Sequence, residues 1–293
     1  MINEKIENTI SDEKIEKNKR MRKIAQICRW ITVILVLGIS YIPFWIMLIG
    51  SLKSIEQFYY DPIFLPSSPL RFVNYVDAFN VVLLGFLNSV LISTSILFGT
   101  LLVSSLSAYA FARFNFFGKK FLYWMIIINM TIPGLLSLVP QYLVTVNVLN
   151  LANSYLGVIL PGIAGGQIQG IFLTRTFIET LPRELFEAAK IDGASEFKVF
   201  SLITIPLIVP ILITIGLMNV LGSWNDIVWP NLILEDVEKQ TISIRMLSFN
   251  SIYGSDMGKM FAAYTLASIP LLVLFLPNMK VFMNSIAVGS VKG

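Results

Sequence analysis

Charge is absent from five long stretches of this chain: 31–52, 78–112, 121–174, 199–225 and 260–279. A backbone that enters lipid must satisfy its own polar groups, and about 20 apolar residues in helical form are needed to cross the hydrocarbon. The mean hydropathy of +0.74, with 55% hydrophobic and 14% charged residues, agrees with that pattern, since soluble domains carry about 25% charged residues. Four of the runs accommodate one span each. The run 121–174 is too long for a single helix and holds Asn147, Asn150, Asn153 and Ser154 near its middle, so it divides into two spans joined by an uncharged turn. The expected fold class is an all-α integral membrane protein with six transmembrane helices, at 30–49, 86–111, 121–143, 155–174, 200–221 and 261–279.

Orientation follows from the basic residues of the connecting segments. With six spans, the N-terminal segment, the loops after spans two and four, and the C-terminal tail share one side. That side carries seventeen of the 22 Lys and Arg; the other has only Lys53, Arg71, Lys239, Arg245 and Lys259. Both termini are expected in the cytoplasm. The chain divides into a polar N-terminal segment at 1–29, a six-helix transmembrane domain at 30–283 and a tail at 284–293. The N-terminal segment is expected as a cytoplasmic helix or a partly disordered tail. The first span is expected to stay as an anchor, because its leader is long and no small-residue cleavage pattern follows it. Cys28 is a lone cysteine beside the membrane, which allows no internal disulfide. The basic cluster at 17–23 serves either as an orientation signal or as a lipid-surface contact, and the net charge of +4 calls for no nucleic acid.

Absences narrow the function. The chain has no histidine, which removes imidazole catalysis and histidine metal sites, and no Gly-x-x-x-x-Gly-Lys phosphate loop. Gly162, Gly165, Gly166 and Gly170 lie inside a span without a preceding strand, where close helix packing explains them better. No span carries an ionisable residue in its central portion, whereas ion-coupled carriers usually place such groups there. Neutral polar groups take their place: a serine- and threonine-rich second span with Asn88, then Asn129, Gln167 and Gln169. Asn88, Asn129, Gln167 and Gln169 are candidate linings of a solute path, because amides exchange hydrogen bonds with a hydroxyl-rich solute. The serines fit interhelical packing and hydrogen bonding better than a path lining. Pro133, Pro140, Pro206, Pro210 and Pro270 interrupt spans three, five and six, and each removes a backbone hydrogen bond.

Two segments on the outer side are long enough to meet a partner, 53–77 and 223–259. The second opens with Trp224, Asn225 and Asp226. Tryptophans at a membrane edge serve as interfacial anchors; the polar pair beside this one also makes the three residues a candidate contact for an external solute-binding protein.

Between spans four and five, the segment 179–206 contains Glu187-Ala188-Ala189-Lys190-Ile191-Asp192-Gly193, followed by Ile203-Thr204-Ile205-Pro206. Pro182 suits the first turn of a helix, and Glu184 and Glu187 lie early enough to favour its dipole. Leu185, Ala188 and Ala189 recur at three- and four-residue spacing, which puts one large and two small apolar groups on one face where another protein can approach closely. Gly193 can adopt a positive φ and end the helix.

This spacing resembles the cytoplasmic Glu-Ala-Ala loop of ABC importer permeases, with Ile205 where that pattern has Leu. The wider chain resembles the maltose-type (MalG-like) carbohydrate permeases. The likeness runs through Pro43, Ser51-Leu52-Lys53, Asn74-Tyr75, Asn88-Ser89, the stretch 108–113, Ile132-Pro133, Leu181-Pro182, Ser223-Trp224-Asn225-Asp226 and Val291-Lys292-Gly293. It departs at Ile205 and in the less aromatic stretch 280–284. The resemblance implies a bacterial plasma-membrane permease subunit of a type I importer, paired with a second homologous permease. Two ATP-binding subunits and an extracytoplasmic solute-binding protein complete the assembly, and ATP and Mg belong to the partner subunits. It further implies that Leu185, Glu187, Ala188, Ala189, Asp192, Gly193, Ile205 and Pro206 couple the membrane helices to the ATPase, and that this chain is a transporter subunit and no enzyme. A permease for a non-sugar solute, a secondary carrier and a membrane enzyme are the competing classes.

Overall fold

The computed structural model describes residues 2–290, of which all regular elements are helical. Five helices are long and apolar enough to span a bilayer: Arg20–Gly50, Val82–Arg113, Tyr155–Ile178, Glu196–Asn225 and Met257–Lys280. The first belongs to α1 (Ile2–Gly50), one unbroken helix that also takes in the polar N-terminal segment from Ile2. No proline or glycine interrupts it before Gly38, so nothing in the backbone stops helix propagation at the membrane surface. After the short α2 (Ile55–Tyr60), α3 (Val73–Arg113) runs through span two.

The segment expected as the third span is a bent pair. α4 (Lys119–Thr131) and α5 (Gly134–Leu143) meet at an angle of 108°. Ile132 is extended, with φ −81° and ψ 120°, and Pro133 follows in the same region. Proline disfavours the helical region for the residue before it and offers no N–H to the helix it enters, so the break falls where the sequence places Ile132-Pro133. Four residues beyond Pro140 the helix widens into a π turn over Val144–Val148. The uncharged turn that follows is made by Asn150 and Asn153, both with φ near +50°, a conformation that asparagine tolerates better than most side chains. Ser154 then accepts a hydrogen bond from the Leu156 amide and opens α6 (Tyr155–Ile178).

Beyond α6 come α7 (Arg183–Ile191), the single turn α8 (Glu196–Lys198), a π stretch over Val199–Thr204 and α9 (Ile205–Asn225). On the far side of the membrane follow α10 (Val228–Ile233), a 3₁₀ turn and α11 (Ile242–Tyr253). α12 (Met257–Ser290) completes the bundle and passes through the expected boundary at 283. Val291, Lys292 and Gly293 lie outside the described residues.

The body is built on α3 packed along α6. Gly162, Gly166 and Gly170 form a stripe four residues apart on α6, and a Cβ at each would come within 2.6, 2.1 and 2.2 Å of Ile96, Asn219 and Ser104 respectively. Ile96, Thr100 and Ser104 repeat at the same spacing on α3. Glycine removes the side-chain layer between the helices, so their backbones approach closely, as in small-residue seams of membrane proteins. Thr100 and Ser104 are fully buried there. Two α3 serines bond to other elements: Ser93 accepts a hydrogen bond from Ser223 at 3.0 Å, and the Ser89 hydroxyl accepts the Ile242 amide at 2.9 Å.

Candidate functional site

At one end of the bundle, α7 lies against the ends of α3, α6 and α9. Phe186 is fully buried among Ala108, Tyr109, Ile178, Val199 and Ile208. The Arg113 guanidinium lies over its ring at 3.9 Å, a cation–π contact that closes the seat from above. A polar chain fixes the far edge: the Tyr109 hydroxyl donates to Glu196 Oε2 at 2.9 Å, and Lys190 Nζ meets Glu196 Oε1 at 2.6 Å. The helix ends at Gly193, whose φ is +75°, while the Ala194 amide returns to the Ala189 carbonyl at 3.0 Å.

The seat divides the expected coupling face. Leu185, Glu187, Ala188 and Asp192 point outward, and Ile191, 86% exposed, joins them. Ala189 does not: it is buried beside Phe186. A helix advances about 100° per residue, so Ala189 stands 60° from Phe186 and is drawn into its burial, whereas Ala188 stays on the outer side. Ile205 packs inward against the same cluster, and Pro206 is exposed in the first turn of α9. Pro206 cannot donate to the turn before it, and the six residues before α9, Val199–Thr204, take the wider π form, with the Thr204 hydroxyl bonded to the Val199 carbonyl at 3.2 Å. Phe186 and Glu196 escaped the sequence reading. The signal for Phe186 was present, since it is the bulky apolar residue three positions before Ala189.

A second feature lies within the bundle, a cavity of about 400 Å³ between α3, α6, α9 and α10. Gln169, Asn219, Ser223, Asn225 and Asp226 supply its polar lining. Asn219 and Asn225 each donate an amide hydrogen to the carbonyl four residues back, at 2.9 and 2.8 Å, which orients both side chains along α9. Asp226 Oδ1 accepts the Trp229 amide at 3.2 Å at the start of α10. Burial pushes its carboxyl above the ordinary carboxylate range. Farther out, Asp236 is held below that range by hydrogen bonds from Lys239 and Asn153.

The four expected path residues part company. Gln169 lines this cavity, and Asn129 lines a separate cleft of about 790 Å³ at the bend of the third span. Gln167 lines neither. Asn88 is a structural tie: its amide donates to the carbonyls of Glu238 and Gln240 at 2.7 and 3.0 Å, and its oxygen accepts the Tyr155 hydroxyl at 2.9 Å. With both amide hydrogens engaged and the side chain buried, it has no donor left for a solute. Trp224, expected at the outer surface, is 5% exposed. It is buried in the core with Val82 and Phe249 and stacks edge-on against Phe86. Asn225, exposed, and Asp226, half-buried, border the cavity.

Residues 100–282 match the family described as binding-protein-dependent transport system inner membrane component. The chain belongs to that family, and it is therefore a membrane component of a transport system. Among its relatives, a probable ABC transporter permease protein, YurM of Bacillus subtilis (strain 168), is 33% identical over 97% of this chain and 95% of its own length. The arabinooligosaccharides transport system permease protein AraQ of the same organism is 31% identical over 88% and 93%. The melibiose/raffinose/stachyose import permease protein MelC of that organism is 33% identical over 86% and 92%. The fold matches a chain of a bacterial ABC transporter that imports the acidic polysaccharide alginate, with a TM-score of 0.77, 19% identity, and 89% and 97% of the two chains covered.

Proposed function

We propose that this chain is a permease subunit of an ATP-driven importer of a carbohydrate, working by alternating access. Its coupling segment at 179–206, both termini and the basic loops face the cytoplasm of the bacterial cell. A second homologous permease pairs with it across the bilayer, two partner subunits bind ATP and Mg and hydrolyse the nucleotide, and an extracytoplasmic binding protein delivers the solute. The observation that carries the reading is α7, a nine-residue helix with a buried inner face and an outer face of Leu185, Ala188 and Ile191 left open to a partner. A helix this short is marginal by itself, so its packing on the bundle lets a push on the outer face move α6 and α9. Relatives named for oligosaccharide transport and the neutral amides of the cavity support a hydroxyl-rich solute.

The test is reconstitution of the complete assembly with its binding protein in vesicles. Ala188→Glu should abolish uptake while the permease stays in the membrane and the ATPase loses its response to loaded binding protein. Undiminished uptake would refute the docking role. Calorimetric titration of the cognate binding protein against neutral mono- and oligosaccharides should find a tight ligand; binding only a peptide or another non-sugar would refute the substrate class.

A further inference from the structure

Three cations converge on one pocket that the coupling helix does not use. Lys119 and Lys120 open α4, and Arg175 stands in the last turn of α6, on the end of the bundle that also carries α7. The pocket between them measures about 600 Å³ and is otherwise lined by Asn115, Tyr123, Trp124 and Ile127. Arg175 is held in place on two sides: its guanidinium stacks over the Tyr123 ring at 3.7 Å, and its Nε donates to Glu179 at 2.9 Å. Lys119 Nζ donates to the Phe114 carbonyl at 2.8 Å, which directs the ammonium toward the loop before α4. Glu179 offsets one of the three positive charges, leaving a net excess of two.

We propose that this pocket binds the phosphate headgroup of an anionic phospholipid of the inner leaflet. The polar rim supplies what a phosphodiester needs: two ammonium groups and a planar guanidinium. The lower wall supplies what an acyl chain needs. Trp124 is 62% exposed, and it and Ile127 continue down α4 into the span. A soluble anion would satisfy the rim and leave that apolar wall uncovered, whereas a lipid covers both. Basic pockets between spanning helices on the cytoplasmic side bind such headgroups, and Trp at the interface marks the depth. Arg175 lies on the last turn of α6, directly before the link to α7, so an occupied pocket braces the element that carries the coupling helix. The inference rests on the cytoplasmic placement of this end proposed above.

The test is native mass spectrometry of the assembled complex in detergent, with phosphatidylglycerol or phosphatidylcholine added at equal concentration. This measures retention only, so it is independent of uptake, and a failed transport reading would show in the vesicle assay instead. The wild-type complex should retain phosphatidylglycerol preferentially. Each lysine removed should weaken retention about fivefold, so Lys120→Gln shows about that loss and Lys119→Gln with Lys120→Gln about twenty-five-fold. Lys120→Gln serves as the mild variant, because Lys120 is exposed and the fold does not depend on it. Equal retention of the two lipids, or unchanged retention in both variants, would overturn the proposal. Release of the lipid by millimolar glycerol phosphate would also overturn it, marking a soluble-phosphate site.

Discussion

Truncating Phe186 to alanine separates the seat of α7 from its outer face. The side chain is fully buried and covered by Arg113 at 3.9 Å. Removing a buried phenyl ring costs about 3–5 kcal/mol in a packed core, and the lost cation–π contact adds about 0.5–1 kcal/mol. Of the nine residues of α7, only Phe186 and Ala189 are buried, so most of the apolar hold on the helix goes with the ring. At about 1.4 kcal/mol per factor of ten, a loss of 3 kcal/mol shifts the balance between seated and released helix by roughly a hundredfold or more. Hydrogen exchange of the α7 amides in the permease without its ATPase subunits reads that shift as lost protection of the same order. Leu185→Ala is the control. Leu185 is 43% exposed on the outer face, and its truncation should change protection by no more than about twofold, in keeping with about 0.5 kcal/mol for surface positions, while uncoupling ATPase activity from uptake. If Phe186→Ala left protection within twofold of wild type, or Leu185→Ala loosened the helix as much, the division of α7 into a seat and a docking face would be wrong.

Gly193 should be sensitive to backbone geometry and indifferent to bulk. Its φ is +75° and a Cβ there meets nothing within 4 Å, so Gly193→Asn should keep most uptake, whereas Gly193→Val, β-branched in a left-handed conformation costing at least about 1–2 kcal/mol, should lose most of it at unchanged membrane abundance. Equal uptake by the two variants would refute this. Asp226 carries a pH signature. Its carboxyl is raised by burial, so the folded state holds its proton more tightly than the unfolded one. The charge therefore costs stability above the folded pKa, and that cost vanishes as pH falls below the unfolded value. Asp226→Asn keeps an acceptor for the Trp229 amide and sheds the charge, so it should raise the melting temperature at pH 7 and leave it unchanged well below the carboxylate range; a stabilisation independent of pH would contradict the assignment.

Much of this protein is legible along the chain because its causes are local or come from the solvent. The charge-free runs dictate membrane helices, Ile132-Pro133 dictates a break, Asn150 and Asn153 dictate a turn, and Gly193 ends a helix, each through backbone sterics or the cost of bare polar groups in lipid. The stripe of Gly162, Gly166 and Gly170 announces a close helix contact without saying which helix it meets. Tertiary structure alone decides what each polar or aromatic side chain faces. Asn88 and Gln169 look alike in sequence, yet one is spent on the carbonyls of Glu238 and Gln240, 150 or more residues away, and the other lines a cavity. Trp224 carries the marks of an interfacial anchor and lies in the core, while Ala188 and Ala189, adjacent and identical, end on opposite sides of a burial boundary. Periodicity states which residues share a helix face. Whether that face meets lipid, a neighbouring helix or another subunit depends on contacts between segments far apart in the chain, and no local pattern encodes them.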